Sequence, residues 1–203
     1  LAPEWLLDAY AHGIFPWPMW EDEPIAWWSP DPRAIIELDG LRVSRRLERT
    51  IRSGKFRVTC DQDFAGVIHG CATAGDRTGN TWLTPAMIAA YRWMHALGHA
   101  HSVEVWEAER LVGGTYGIAI GGLFAAESMF HFERDASKVA LAHLVSHLEA
   151  CKFRLLDVQQ WTEHTGSMGA IEISREDYLR RLALAVQLPV SFARKPIGDD
   201  ANV

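Results

Sequence analysis

Short stretches in which apolar and polar residues alternate, or in which apolar residues form an unbroken run, recur along the chain and predict β-strands. They lie at residues 34–38, 56–60, 102–106, 111–120, 123–130 and 155–159. The pair Gly121-Gly122 separates two of them and is typical of a two-residue hairpin loop. We therefore expect residues 111–120 and 123–130 to pair as antiparallel strands.

Apolar residues spaced three or four positions apart, bounded by capping residues, predict helices between these strands. The helices are expected at residues 4–12, 45–52, 64–72, 86–97 and 174–185. Asp135 and Ser137 are candidate caps for a further helix that ends near Cys151. This order of elements is that of an α/β domain of the kind found in N-acyltransferases. The Pro30 and Pro32 steps favour a domain boundary just before residue 33.

The strand at 155–159 carries an acid and an amide inside an apolar run. Alternation along a strand puts one set of side chains on one face, namely Leu155, Asp157 and Gln159, and leaves Leu156 and Val158 on the other. The polar segment that follows marks the strand end, where sites usually lie in open sheets. Asp157 and Gln159 are therefore candidate site residues. The alternative is that Asp157 is structural and caps the following loop.

A second acid, Glu127, also lies within an apolar run. A buried carboxylate is costly unless it is paired or meets a cationic ligand, so Glu127 is another candidate. In a strand without a bulge, Glu127 would share a face with Leu123, Ala125 and Met129. The opposite face would then carry Phe124, Ala126, Ser128 and Phe130.

The formal net charge is −6, but basic residues are concentrated between residues 42 and 57. That stretch holds seven Arg or Lys residues and one Glu, a net of +6, which leaves −12 on the remainder. On the helix at 45–52, Arg45, Arg49 and Arg52 share one face. A local positive field attracts phosphate groups whatever the total charge, so this face predicts phosphate binding. A solvated surface helix is the alternative.

The cysteines and histidines do not predict a metal site or a disulfide. The three cysteines lack the paired spacing of such sites and are expected to be reduced thiols, namely Cys60, Cys71 and Cys151. The histidines at 95, 99 and 101 are expected to be hydrogen-bonded. No run of eighteen apolar residues and no signal peptide is visible, so we expect a cytoplasmic protein.

Several ordered motifs together resemble the leucyl/phenylalanyl-tRNA-protein transferase family. They are Gly13-Ile14-Phe15-Pro16-Trp17, Trp27-Trp28-Ser29-Pro30-Asp31-Pro32-Arg33, residues 98–106 (GHAHSVEVW), Leu111-Val112-Gly113-Gly114, Glu127-Ser128-Met129-Phe130, Asp157-Val158-Gln159 and residues 164–170 (HTGSMGA). The resemblance implies a small N-terminal domain at residues 1–32, lacking a segment that the family normally carries, and a GNAT-like catalytic domain at 33–203.

The resemblance also implies the activity. Leucine or phenylalanine, and methionine less well, would pass from aminoacyl-tRNA to proteins with N-terminal Arg or Lys, which marks them for degradation. Neither a cofactor nor a metal is implied, and we expect a monomer that does not bind membranes.

Roles for individual residues follow from the same resemblance. Asp157 and Gln159 would lie at the reaction centre, and Glu127 with Asp157 would bind the acceptor peptide. Trp17 and Trp82 would lie near the aminoacyl adenosine; from composition alone, the N-terminal tryptophans could equally form an aromatic core. The arginines at 45, 49 and 52 would contact tRNA. The transferred side chain would occupy an apolar pocket formed by Phe124, Met129, Leu144, Leu148 and Leu156.

The expected mechanism is acyl transfer without a covalent enzyme intermediate, because the aminoacyl ester is already activated. Asp157 is expected to orient Gln159 and to help remove the proton of the amine. Two alternatives stay open. An acyl-CoA-dependent acetyltransferase would need a pyrophosphate loop, which the chain lacks. A tRNA-binding module without catalysis would leave Glu127, Asp157 and Gln159 unexplained.

Overall fold

The computed structural model describes residues 1–17, 25–75 and 81–192. Its helices are α1 (Pro3–Ala11), α2 (Arg45–Arg52), α3 (Phe64–Thr73), α4 (Pro85–Ala96), α5 (Ala136–Ala150), α6 (Glu163–Ser167) and α7 (Arg175–Ala185). Its strands are β1 (Phe15–Trp17), β2 (Ala26–Trp28), β3 (Arg33–Ile36), β4 (Arg57–Cys60), β5 (Ala100–Glu107), β6 (Arg110–Ile120), β7 (Leu123–His131), β8 (Leu155–Gln159) and β9 (Ile171–Ile173).

Seven strands form one mixed sheet in the order β4-β5-β6-β7-β8-β3-β9. Every neighbouring pair is antiparallel except β7 and β8, which run parallel. The predicted hairpin at Gly121-Gly122 joins β6 to β7. Strands β1 and β2 form a separate two-stranded sheet that the sequence pattern did not predict. The segment after Gln159 also holds α6 and β9, which the sequence pattern did not reveal.

Helices cover both faces of the large sheet, as the alternation along β8 predicts. Leu156 lies in the main core cluster with Leu47 of α2 and Leu144 of α5. On the opposite face, Leu155 packs with Tyr178 of α7. Helices α1, α3 and α4 share that second face with buried residues of β6 and β7. The α/β class predicted from the sequence is therefore confirmed.

Local capping explains where several helices begin. The hydroxyls of Ser44 and Thr84 and the carboxylate of Asp63 accept backbone N–H bonds at the starts of α2, α4 and α3. The cap expected from Asp135 is absent: its side chain makes no capping bond and instead pairs with Arg46 at 2.9 Å. None of the helices in the described ranges is long and apolar enough to cross a membrane.

Candidate active site

The site forms where the two parallel strands separate. β7 and β8 pair over Leu123–Ala125 and Leu155–Asp157 and then diverge. Each strand carries an irregularity just beyond that point. Tyr116 pairs with Ser128 and the next residue of β6 pairs with Ala126, so Glu127 is left without an opposite residue. Bulges of this kind bend a strand and re-aim its side chains.

The bulge at Glu127 corrects the predicted faces of β7. Before it, Phe124 and Ala126 lie in the main core; beyond it, Met129 packs against that core, while Phe130 lies on the opposite face. Simple alternation would have put Phe130 with Phe124. Gly117 lies opposite the bulge. A Cβ atom at this position would come within 2.3 Å of the Ala125 carbonyl oxygen, so the strand pairing here requires glycine.

Strand β8 has a matching irregularity at its end. Ala34 pairs with Gln159 and Ile35 with Asp157, so Val158 is the extra residue. Gln159 has a φ of +65°, which is uncommon for a residue with a side chain. The Asp157 carboxylate accepts the Gln159 backbone N–H at 2.8 Å and stabilises this conformation. Residues held in such conformations are concentrated at functional sites.

The two re-aimed side chains meet in a cavity of about 450 Å³. The Gln159 amide donates to the Glu127 carboxylate at 2.7 Å, and both residues line the cavity. The second Glu127 oxygen accepts from the Tyr91 hydroxyl at 2.8 Å, and the Tyr10 hydroxyl lies 2.8 Å from that of Tyr91. Glu127 is only 9% exposed, yet it forms no ion pair within the described part of the chain.

Burial is the main influence on Glu127 and raises its pKa to about 7. Hydrogen bonds from Tyr10 and Tyr91 oppose this rise, and the charge of Asp157 adds to it. The carboxylate therefore changes charge near neutral pH, which is where a group that exchanges protons with a substrate is most effective.

Tyr91→Phe is expected to shift the pH dependence of activity at this site. Because the Tyr91 hydroxyl lowers the Glu127 pKa, its loss should raise that pKa further, and the rise of kcat/KM with pH should move to higher pH. The measurement is kcat/KM between pH 5.5 and 9. Tyr116→Phe removes the hydroxyl of another fully buried tyrosine and is the control. The prediction would be contradicted if Tyr91→Phe lowered kcat/KM at every pH without moving its rise to higher pH.

Asp157 lies behind the cavity and does not line it. One of its oxygens accepts from Arg33 Nε at 2.9 Å and from the Gln159 N–H. The other accepts from Arg33 Nη2 at 2.5 Å and from the Tyr178 hydroxyl at 2.8 Å. Both oxygens of Asp157 are therefore engaged, and one of them holds the backbone of Gln159 in place. The expectation that it helps to remove a proton is not favoured by this arrangement.

Arg33 completes the buried ion pair beneath the site. It is 1% exposed, its guanidinium lies 4.9 Å from the ring centre of Phe15 and 4.4 Å from that of Tyr178, and it donates to the Gly13 carbonyl at 3.0 Å. Such a bidentate, stacked arrangement is specific to arginine. Arg33 therefore connects the N-terminal segment to β8 and α7.

The predicted aromatic pair is present at the cavity. Trp17 and Trp82 stack with ring centres 5.5 Å apart and an angle of 11° between their planes, and both line the cavity. Both tryptophans are partly buried.

Of the five residues predicted to form the apolar pocket, Met129 alone lines the cavity. The other four are fully buried in the main core cluster, namely Phe124, Leu144, Leu148 and Leu156. That cluster reaches the cavity through Ala126, and Met129 and Val158 pack against it. The four residues thus belong to the core cluster that adjoins the lining.

The basic helix α2 lies on the surface, as its pattern predicts. Arg45, Arg49 and Arg52 are exposed, while Leu47 on the other face is buried. Arg52 pairs with Glu48 at 2.9 Å. Within the described ranges Arg45 and Arg49 form no ion pair, so their charges are available to a partner.

Four residues of the site were not identified from the sequence: Arg33, Tyr10, Tyr91 and Tyr178. Their partners are 21 to 124 positions away along the chain, so periodicity carries no signal for them. An arginine directly before the apolar run of β3 is the one local sign, because a buried guanidinium requires an acid.

Hydrogen bonds were expected at His95, His99 and His101, and the structure shows them at His95 and His101. His95 Nδ1 lies 2.8 Å from the Ala100 carbonyl, and His101 Nδ1 lies 2.8 Å from the Asp61 carboxylate. In the described ranges no three metal-binding side chains cluster. Cys60 and Cys71 are buried free thiols, and Cys151 is half-buried.

Comparison with known proteins gives consistent matches. A family model described as leucyl/phenylalanyl-tRNA protein transferase matches residues 35–183, and a model of the N-terminal domain of that family matches residues 1–31. Three curated relatives carry the name leucyl/phenylalanyl-tRNA–protein transferase. The protein of Solidesulfovibrio magneticus is 56% identical over 89% of this chain and 73% of its own length. The protein of Nitratidesulfovibrio vulgaris strain DP4 is 50% identical over 98% of this chain and 86% of its own length. The protein of Chromohalobacter salexigens is 49% identical over 100% of this chain and 78% of its own length.

Proposed function

Because the chain belongs to the leucyl/phenylalanyl-tRNA protein transferase family, we propose that it transfers Leu or Phe, and Met less well, from aminoacyl-tRNA to proteins that begin with Arg or Lys. The modified proteins would be marked for degradation. Aminoacyl-tRNA is a cytoplasmic substrate, so we place the reaction there, catalysed by a monomer.

The unpaired Glu127 carboxylate carries the proposal for the acceptor. Glu127 is almost buried and lines the cavity, yet its described partners are neutral groups, Gln159 and Tyr91. A buried carboxylate without a cation is unfavourable, and a guanidinium or ammonium from an N-terminal Arg or Lys would relieve that cost. Asp157 cannot share this role directly, because Arg33 already neutralises it. The charge of Asp157 raises the Glu127 pKa, and the charge of Arg33 lowers it.

The chemistry is an exchange of an ester for an amide. The α-amino nitrogen forms a bond to the ester carbonyl carbon, and the bond from that carbon to the ribose oxygen breaks. The amine loses a proton, and the ribose oxygen gains one. We assign the alignment of the amine or of the developing oxyanion to Gln159. Glu127, which titrates near neutral pH, is the described group best placed to accept the proton. Asp157 and Arg33 are positioning residues.

The donor would occupy the remainder of the cavity. The stacked faces of Trp17 and Trp82 suit the terminal adenine, since aromatic side chains bind bases by stacking. The transferred side chain would enter beside Met129, against the part of the lining that packs on the core cluster of Phe124, Leu144, Leu148 and Leu156. A pocket of this kind separates substrates by size, at roughly 1 to 3 kcal/mol per methylene.

Transfer from different charged tRNAs tests the donor side. With one peptide that begins with Arg, we expect Leu-tRNA and Phe-tRNA to react well, Met-tRNA less well and Val-tRNA about 10 to 200 times more slowly than Leu-tRNA. Acetyl-CoA serves as a further donor and should not react. Acetylation of the peptide without transfer from any charged tRNA would contradict the proposal and favour the acetyltransferase alternative.

The exposed arginines of α2 are proposed to contact tRNA phosphates. Each phosphate contact releases counterions, so Arg45→Gln combined with Arg49→Gln should weaken tRNA binding and reduce the slope of log K against log salt by about 2. The measurement is tRNA binding between 50 and 300 mM salt. Arg175→Gln with Arg180→Gln removes the same charge from α7, which packs on the other face of the sheet. Equal slopes in the two double variants would contradict the assignment.

The domain division is proposed on the same basis as the activity. Residues 1–32 would form the small N-terminal domain and residues 33–203 a GNAT-like domain. The mixed sheet, in which a parallel strand pair opens at the site, supports the second assignment.

A further inference from the structure

The cavity contains a group of polar side chains that the roles above do not use. They are His131, Ser137, Thr162, His164 and Thr165, here called the polar end. His131 lies four residues beyond Glu127 on β7, which corresponds to about 13 Å along a strand. His131 is therefore placed to contact a different chemical group of a ligand from the one that the Glu127–Gln159 pair contacts.

His164 shows that the polar end is built to meet a ligand. Its Nε2 atom is buried and has no hydrogen-bond partner within the described chain. Buried ring nitrogens of histidine normally have a partner. His164 lines the cavity, so a ligand bound there is the candidate partner for this nitrogen.

The surroundings of His164 are positive. Burial lowers the His164 pKa most, and the charges of Lys138 and His131 lower it further, which places both groups close by. Ser137 is 2% exposed, and its hydroxyl lies 3.4 Å from His131 Nδ1. Lys138 donates to the Ser167 hydroxyl at 3.1 Å, so its charge is not neutralised by an acid there.

Asp135 and Glu133 are engaged elsewhere, and Glu163, which precedes His164, is exposed and does not line the cavity. Asp135, at the start of α5, pairs with Arg46, and Glu133 pairs with Arg110 at 2.8 Å. Among the described residues that line the cavity, Glu127 is the one carboxylate, and it lies at the other end. Hydroxyl, imidazole and ammonium donors without an opposing acid are the groups that proteins use to bind phosphate oxygens.

We propose that the polar end binds the phosphodiester that joins the terminal adenosine of aminoacyl-tRNA to the preceding nucleotide. This inference rests on the proposed function and adds a subsite to it. With the adenine against Trp17 and Trp82 and the ester at Gln159, the phosphate leads out of the cavity beside His131 and His164. The direction is consistent with the basic helix α2, which packs on α5 and reaches its first residues through the Arg46–Asp135 pair.

Two minimal donors test the phosphodiester site. One is leucyl-adenosine, and the other is leucyl-CpA, which adds one phosphodiester and one nucleotide. In the wild-type protein kcat/KM should be at least about tenfold higher for leucyl-CpA, a factor that corresponds to 1.4 kcal/mol. In His131→Gln with His164→Gln this ratio should fall towards one. A leucyl-CpA analogue with an uncharged methylphosphonate link should lose the advantage in the wild type.

The outcomes separate this inference from the proposed function. A wild-type ratio of one, a ratio that the double variant retains, or full activity of the methylphosphonate analogue would overturn the phosphodiester site while transfer itself continued. Failure of every donor would instead overturn the proposed function. The double variant is checked by its circular dichroism spectrum and thermal unfolding.

Binding without turnover provides a second readout. Ring-nitrogen NMR signals of His131 and His164 should shift when the dinucleotide CpA is added and should stay in place with adenosine. His95 and His101 form hydrogen bonds elsewhere in the protein, so their signals are the internal control. Equal shifts with CpA and adenosine would contradict the site.

Discussion

Glu127→Gln is expected to reduce transfer by at least about a hundredfold, which is the lower range for the loss of a group that takes a proton in the reaction. The amide keeps the shape of the side chain and can still accept from Tyr91, whereas it can neither ionise nor attract an N-terminal cation. The measurement is kcat/KM with Leu-tRNA and an Arg peptide. Glu163→Gln neutralises an exposed acid of α6 and is the control. Transfer within a few-fold of wild type would exclude Glu127 from both roles.

The same variant should be more stable than the wild type at alkaline pH. The folded state holds the Glu127 proton up to a pKa of about 7, whereas an unperturbed glutamate has lost it by 4.5. Stability from this group is therefore fully present below about pH 4.5 and is lost as the pH rises through 7. Glu127→Gln removes that loss and should gain up to about 3 kcal/mol in the free energy of unfolding at pH 8. Urea unfolding at pH 8 and pH 5 measures it.

The contrast between the two pH values is the informative part. The gain should shrink as the pH falls, because the wild-type carboxylate is then protonated. A variant that is less stable at pH 8, or equally stabilised at both pH values, would show that burial does not disfavour the Glu127 charge. Greater stability with lost activity is the pattern expected of a residue retained for function.

Arg33→Met is expected to destabilise the protein by about 3 to 5 kcal/mol, because it leaves the Asp157 carboxylate buried without its cation. The guanidinium also packs between Phe15 and Tyr178, and methionine replaces only part of that contact. Arg33→Lys should recover little, since an ammonium cannot make the bidentate contact. The measurement is the free energy of unfolding in urea at pH 7.

A double variant separates the ion pair from simple packing. Arg33→Met with Asp157→Leu removes both charges and should be more stable than Arg33→Met alone. The control Arg180→Met breaks an exposed pair with Asp177, and its effect should stay below about 1 kcal/mol. If the double variant were no more stable than Arg33→Met, the buried charge of Asp157 would not be the source of the loss.

The elements of this fold follow from local patterns, and most were predictable from the sequence. Ser44 and Thr84 cap helices where their positions before amphipathic runs indicate. The Gly121-Gly122 hairpin is also a local signal. β1 and β2 were not predicted, because they are short and rich in proline and tryptophan. β9 and α6 are short as well, and their formation depends on pairing with β3 and on a threonine capping box.

The geometry of the site was predictable only in part. Three residues, Asp157, Gln159 and Glu127, were identified because a polar group inside an apolar run is costly to bury unless it is paired. Their arrangement depends on the β-bulges at Glu127 and Val158. The alternation of apolar and polar residues gives no sign of these bulges. The resemblance implies that Asp157 lies at the reaction centre, and the sequence pattern did not indicate that Arg33, which is distant along the chain, binds its carboxylate.

The central claim is that a buried, uncompensated carboxylate in the cavity selects a positively charged N-terminal residue. The most direct measurement is transfer of labelled leucine from Leu-tRNA to three peptides that differ only in an N-terminal Arg, citrulline or Ala. Citrulline has nearly the shape of arginine without its charge. We predict transfer to the Arg peptide and at least about a tenfold lower kcat/KM for the other two. Equal transfer to the Arg and citrulline peptides would contradict the claim.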